Sequence, residues 1–246
     1  MNNPRVLVVI PARYGSTRLE GKPLKLIGGR PMIELVYRQA MKMETATEVV
    51  VATDDQRVID AVLAFGGLVE MTSPDHQSGT DRVAEVAARR QADVVVNMQG
   101  DEPFIDPATV DLAVRRLLEH GTVKMSTLCV PVTFEEACDP NVTLVVRSLD
   151  EMALYFSKAP VPYDREGPPG GKSHLKHLGL YVFRKEFLLE YATMAPTPLE
   201  KREKLEQLRV LETGEKILVV MTDRDSIGVD SPADLERANI IARGNQ

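Results

Sequence analysis

The chain contains no tryptophan and only two cysteines, and aromatic residues make up 5% of it. Cys129 and Cys138 are too few for a disulfide framework and have no metal-ligand company, so both read as small apolar packing groups. No apolar run approaches the ~20 residues that a membrane span needs. The opening MNNPRVLVVIPARYGS lacks the basic start and small-residue cleavage site of a secretory leader. A cytoplasmic protein with no membrane partner is therefore expected. Net positive charge is missing too: the formal charge is −6 and the pI is near 5.4, which excludes the broad basic face of a general nucleic-acid binder. Any polyanion site must be local.

What is present is enough apolar material, 43% of 246 residues, for one large domain or one domain with a sizeable insertion. RVLVVI (Arg5–Ile10), EVVVAT (Glu48–Thr53) and DVVVNM (Asp93–Met98) are β-branched runs without polar alternation, as in strands buried on both faces. Between them, Pro31–Met43, Asp55–Phe65 and Gly79–Arg90 read as helices, the last with Val83, Val86 and Ala87 at helical spacing behind a charged face. Repetition of strand, helix, strand predicts an α/β fold with a doubly wound, mostly parallel sheet. Ligands of such sheets bind beyond the carboxyl ends of the strands.

A further helix is expected over Pro107–His120 and a strand over Met125–Val132. Ser157–His174 is rich in Pro, Gly and charge and reads as an exposed loop. His177–Phe183 resumes a strand, Leu199–Glu212 reads as one helix with Leu205, Leu208 and Leu211 along one side, and KILVV is a late strand. The final helix opens with Ser231 or Asp230 as N-cap, Pro232 at the first helical position and Asp234 in the first turn. No linker divides the chain, so residues 1–246 are expected to form a single domain.

The charge anomaly lies just after the first strand. Between Pro11 and Arg30 stand five basic residues (Arg13, Arg18, Lys22, Lys25, Arg30) and one acid, Glu20, in a chain that is acidic elsewhere. A solvated loop would explain this blandly. A phosphate cradle explains it chemically: glycines let backbone N–H groups approach oxygens, while Arg forks and a Lys point charge neutralise them. Two common cradles fail on detail. A Walker loop has four residues between its first Gly and the Gly-Lys pair, followed by Ser or Thr, whereas GSTRLEGKP has five, followed by Pro23. That proline biases Lys22 away from helical dihedrals, so no helix is expected to begin there. A dinucleotide fingerprint, Gly-x-Gly-x-x-Gly, is absent at the same turn, which disfavours a nicotinamide oxidoreductase although Asp54 could mimic its ribose-binding acid.

The remaining pattern, IPARYGSTRLEGKPL (Ile10–Leu24), resembles the N-terminal signature of sugar nucleotidyltransferases. Further motifs follow in order: VATDD, DHQSGTDRVAEV, VVNMQGDEPFIDP, ALYFSKAPVPYDR, HLGLYVF, LEKREKLEQLRVLETGEKI and GVDSPADLERA. Together they resemble the 3-deoxy-manno-octulosonate (Kdo) cytidylyltransferases over nearly the whole chain. The resemblance implies a nucleotide-diphospho-sugar transferase-like fold, with a sugar-binding and dimerisation segment at approximately residues 133–212. It implies transfer of a cytidylyl group from CTP to Kdo with loss of diphosphate, for lipopolysaccharide biosynthesis. Charge neutralisation and in-line positioning dominate such phosphoryl chemistry.

By the same resemblance Asp101 and Asp230 hold Mg2+, a role at odds with Asp230 as a helix cap unless Ser231 does the capping. Arg13, Ser16, Arg18 and Lys22 bind the triphosphate, with Lys22 meeting the charge that develops on the departing pyrophosphate; Lys22, Arg13, Asp101 and Asp230 form the catalytic set. Main chain near Pro11 and Ala12, with Ser78, Thr80 and Arg82, reads cytosine, although Arg82 also fits a surface helix position. Gln99, Lys158, Arg165, His177, Glu206 and Gln207 are the sugar-binding candidates, and Gln99 also counts toward the nucleotide. Lys158 stands where the family commonly has Arg, which replaces a bidentate fork with a point charge. A homodimer is implied. The alternatives are a cytidylyltransferase for 8-amino-Kdo or N-acylneuraminate, an NAD-dependent oxidoreductase, and a noncatalytic nucleotide sensor, which would need the cradle but not two metal carboxylates.

Overall fold

The computed structural model describes residues 4–15, 19–167 and 170–244. The chain divides into two compact units, Met1–Asp111 with Ser226–Gln246, and Leu112–Asp225. The expected inserted segment, approximately residues 133–212, falls within the second.

The first unit is built on four parallel strands in the spatial order Val94–Asn97, Val6–Pro11, Glu48–Thr53 and Val69–Met71. The three expected central strands are all here. Their valines are almost fully buried, as runs without polar alternation require. Met32–Ala40, Gln56–Ala64 and Gly79–Arg89 are helices, within one to three residues of expectation. Two have clear starts. Asp55 accepts the Arg57 N–H at 2.9 Å, and Ser78 with Asp81 forms a reciprocal capping box. The helix Pro232–Gly244 belongs to this unit and packs Ala238 with Leu19, Ile27, Met32 and Val229. Its N-cap is Ser231, whose hydroxyl accepts the Asp234 N–H at 3.2 Å while the Asp234 carboxylate accepts the Ser231 N–H at 3.0 Å. Asp230 is thus released from capping.

One local expectation fails beside the basic loop. A three-residue 3-10 turn, Lys22–Leu24, does begin at Lys22. Pro23 is its second residue, where a helical start needs no N–H donor, so the proline is accommodated rather than disruptive.

In the second unit, Met125–Thr133 pairs antiparallel with the long strand Lys172–Arg184 and parallel with Ile217–Met221. Leu144–Arg147 and Ala153–Ser157 form a further antiparallel pair. The helix expected over Leu199–Glu212 is broken into Pro198–Glu203 and Leu208–Glu212. Lys204 lies in the left-handed region at φ 58° and its N–H closes on the Glu200 carbonyl at 2.8 Å. The Glu203 carboxylate is engaged by the Ser157 hydroxyl at 2.9 Å and the Lys158 N–H at 3.1 Å, which fixes the end of the first half. Leu205, Gln207 and Leu208, at and just after the break, are all buried. Cys129 is buried, and burial pushes its thiol up to about 11. Cys138, expected to pack, is exposed because it follows the short surface helix Phe134–Ala137.

Candidate active site

In the first unit the carboxyl ends of Val6–Pro11 and Val94–Asn97 open onto a cleft of about 320 Å3. Pro11, Ala12, Arg13, Lys22, Ser78, Arg82, Gln99, Asp101 and Asp230, nine of the residues expected from sequence, line it. Ser16 and Arg18 lie outside the described residues. Thr80 is fully buried behind the wall, where its hydroxyl accepts the Asn97 amide at 2.9 Å. Gln99 Nε2 in turn donates to Asn97 Oδ1 at 3.2 Å. Arg82 is not a surface residue: only 4% exposed, it donates to Asp54 at 2.7 Å and to the Thr72 hydroxyl. Asp54 is therefore the counter-ion of Arg82, which removes it as a ribose-binding acid.

The cleft floor depends on one glycine. A Cβ at Gly100 would fall 2.8 Å from the Pro11 carbonyl oxygen, so only glycine lets these two strand ends approach. The sequence reading missed Gly100. It also missed His76, which lines the cleft and is held by the Glu85 carboxylate. Burial raises the pKa of Glu85, but hydrogen bonds from the Ser73 N–H and His76, together with nearby Arg89, outweigh it and keep the group below the usual carboxylate range.

At the cleft's charged end, Lys22 Nζ donates to Asp101 Oδ2 at 2.5 Å and to Asp230 Oδ1 at 2.7 Å. The Val229 N–H donates to the Asp101 carbonyl at 2.9 Å, holding the two aspartate loops together. Two carboxylates from distant parts of the chain thus converge on one cation. Among the described residues no group of three His, Cys, Asp or Glu side chains is placed to hold a metal ion. A pair of hard oxygen donors nevertheless fits a cation such as Mg2+, which completes its shell with substrate phosphates and water.

The sugar-binding candidates other than Gln99 lie in the second unit. His177 is buried, edge-on to Phe156 with ring centroids 4.9 Å apart. Burial, reinforced by the nearby Lys158 charge, pushes its pKa down to about 3, so the ring is neutral near pH 7. The Thr127 hydroxyl donates to the Leu180 carbonyl at 2.6 Å and so accepts from His177 Nε2 at 2.8 Å; this network assigns the ring proton to Nε2. Gln207 is 2% exposed and its carbonyl accepts the Tyr181 hydroxyl at 2.9 Å. Its amide Nε2 is buried with no hydrogen-bond partner among the described residues, a donor that a buried acceptor would satisfy. Lys158 Nζ donates to the Asn141 carbonyl at 2.8 Å, Glu206 is half-buried, and Arg165 is exposed. Tyr181, which fixes the Gln207 amide, sits inside the HLGLYVF motif and was not singled out by sequence.

A family model described as cytidylyltransferase matches residues 7–217. A 3-deoxy-manno-octulosonate cytidylyltransferase of Geotalea daltonii is 50% identical over 243 residues, covering 95% of this chain and 96% of the relative. One from Syntrophotalea carbinolica is 49% identical over 247 residues, covering 97% and 99%. A solved CMP:2-keto-3-deoxy-manno-octonic acid synthetase complexed with CTP superposes with TM-score 0.93 at 41% identity, covering 98% of this chain and all of that one. A 4-diphosphocytidyl-2C-methyl-D-erythritol synthase from Anaerococcus prevotii, at 14% identity and TM-score 0.65, shares the fold.

Proposed function

This chain belongs to the cytidylyltransferase family, beside its 3-deoxy-manno-octulosonate members, and we propose that the first unit's cleft binds CTP with Mg2+ for transfer of the cytidylyl group to Kdo. The products are CMP-Kdo and diphosphate. The observation that carries the reading is the convergence of Asp101 and Asp230 on Lys22 in a cleft lined by Arg13 and the strand ends.

In this reaction the anomeric hydroxyl oxygen of Kdo bonds to the α-phosphorus, the bond from that phosphorus to the bridging oxygen breaks, and the hydroxyl proton is lost. Negative charge grows on the departing pyrophosphate, so cations fixed along the triphosphate stabilise the transition state more than the ground state. Arg13 supplies a forked donor and Lys22 a point charge. Asp101 and Asp230 hold the divalent metal, which when bound polarises phosphate oxygens and supplies charge neutralisation. Lys22 donates to both carboxylates, and under this reading its ammonium also serves the departing pyrophosphate. Backbone around Pro11 and Ala12, together with Ser78 and Arg82, presents the donors and acceptors that separate cytosine from uracil.

For the acidic sugar, Lys158, Arg165, His177, Glu206 and Gln207 of the second unit are the proposed contacts, while Gln99 counts toward the nucleotide in the first unit's cleft. The unpaired Gln207 amide and the neutral His177 ring supply polar groups suited to sugar hydroxyls, and Lys158 and Arg165 supply charge for the carboxylate. The protein acts as a cytoplasmic homodimer in lipopolysaccharide biosynthesis under this reading. Pyrophosphate release tests the nucleotide half: it should require CTP, Kdo and Mg2+ together and stop with EDTA. Equal release with UTP would sink the assignment of the cleft to cytosine.

A further inference from the structure

Tyr14 and Gly21 meet within the basic loop of the first unit. The Gly21 N–H donates to the Tyr14 carbonyl at 3.2 Å, so a backbone hydrogen bond closes the loop at its neck. Gly21 has φ 63°, and a Cβ added there would lie 3.0 Å from both Cζ and Oη of Tyr14. The tyrosine ring therefore fills the space that any side chain at position 21 would need, in a conformation that already favours glycine. The Arg57 guanidinium carbon lies 3.4 Å from the centroid of the same ring. Arg57 is itself held by a fork to Asp55, Nε to Oδ1 at 2.9 Å and Nη2 to Oδ2 at 2.6 Å. Asp55 caps the helix Gln56–Ala64, so the whole stack is tied to a regular element.

The two residues flanking this neck are Arg13 and Lys22, and both line the cleft. We propose that Tyr14 is a positioning residue for the triphosphate: clamped between Arg57 and Gly21, it fixes the spacing of Arg13 and Lys22 across the loop. The inference rests on the reading of those two cations as phosphate ligands. Fixed cations are what phosphoryl transfer requires, because donors that must reorganise during reaction stabilise the transition state less. The contacts are made by the ring against a cation and a backbone, so phenylalanine should serve nearly as well as tyrosine.

The test is calorimetric titration of CTP and of CMP into the full-length protein and its variants, with melting temperature and KM for Kdo measured alongside. Tyr14→Ala should weaken CTP roughly 10- to 100-fold while weakening CMP far less, leave KM for Kdo at saturating CTP unchanged, and be rescued by Tyr14→Phe. Arg57→Gln, which removes the clamp without touching the core, should shift the CTP to CMP ratio in the same direction and serves if Tyr14→Ala folds poorly. Equal weakening of CTP and CMP, or none, overturns the proposal. Arg13→Ala and Lys22→Ala separate the two levels. If they discriminate CTP from CMP and the Tyr14 and Arg57 variants do not, the positioning role alone fails. If they do not discriminate, the cradle reading fails and the Tyr14 role with it.

Discussion

Lys22 Nζ stands 2.5 Å from Asp101 Oδ2, closer than to Asp230 Oδ1 at 2.7 Å, so one ammonium answers both carboxylates assigned to the metal. A lysine in that position competes with a divalent cation for the same oxygens. The nucleotide-free protein should therefore bind Mn2+ weakly, and Lys22→Met should bind it more tightly despite losing activity. The free Mn2+ signal in electron paramagnetic resonance reads this directly. Unchanged Mn2+ affinity in the variant would show that Lys22 and the metal do not share a site.

Removing either carboxylate leaves Lys22 one partner, so folding should survive while chemistry does not. Asp101→Ala and Asp230→Ala should each lower kcat by roughly 100-fold or more, with circular dichroism unchanged. Because Ser231 caps the final helix, Asp230→Ala should not lower the melting temperature as loss of a cap does, whereas Ser231→Ala should, by an amount equivalent to about 1 kcal/mol. A stability loss in Asp230→Ala matching that in Ser231→Ala would reassign Asp230 to structure.

Gly100→Ala forces a methyl group to within 2.8 Å of the Pro11 carbonyl unless the strand ends part. The expected cost is about 1–3 kcal/mol of stability together with a rise in KM for CTP. Chemical denaturation and steady-state kinetics measure the two. A variant with normal stability and KM would mean that the close approach is not maintained in solution.

Acid sensitivity follows from His177. Its folded pKa is lowered to about 3, against an ordinary value of 6.5, so between these values the unfolded chain binds the proton and the folded one does not. The sign is thus fixed: this group costs nothing above pH 6.5, and stability falls as pH drops from there toward 3. The slope contributed by one proton is at most about 1.4 kcal/mol per pH unit. In His177→Phe the melting temperature should fall less between pH 7 and pH 5 than in the unaltered protein. Parallel pH profiles for the two would contradict the burial argument.

Features set by local pattern were legible before the structure. The β-branched runs gave the central strands, the charge contrast of Arg13 and Lys22 within an acidic chain marked the cleft, and Pro232 and Asp234 placed the start of the final helix, with Ser231 or Asp230 as its cap. Features set by tertiary context were not. Nothing near Gly100 in sequence announces a contact with Pro11, and Tyr14 reads as an ordinary loop aromatic until Arg57 is placed over it. The break at Lys204 was hidden because the leucine spacing on either side is compatible with one helix; it is the engagement of Glu203 with the Ala153–Ser157 strand that accompanies it. Thr80 was named for its motif, yet its hydroxyl is turned to Asn97 inside the wall.

The central claim concerns the acceptor, and mass-spectrometric detection of the nucleotide product from CTP and Mg2+ with Kdo, 8-amino-Kdo or N-acetylneuraminate in parallel tests it most directly. CMP-Kdo should form fastest, in step with diphosphate. Formation of the N-acetylneuraminate product with none from Kdo would contradict the account.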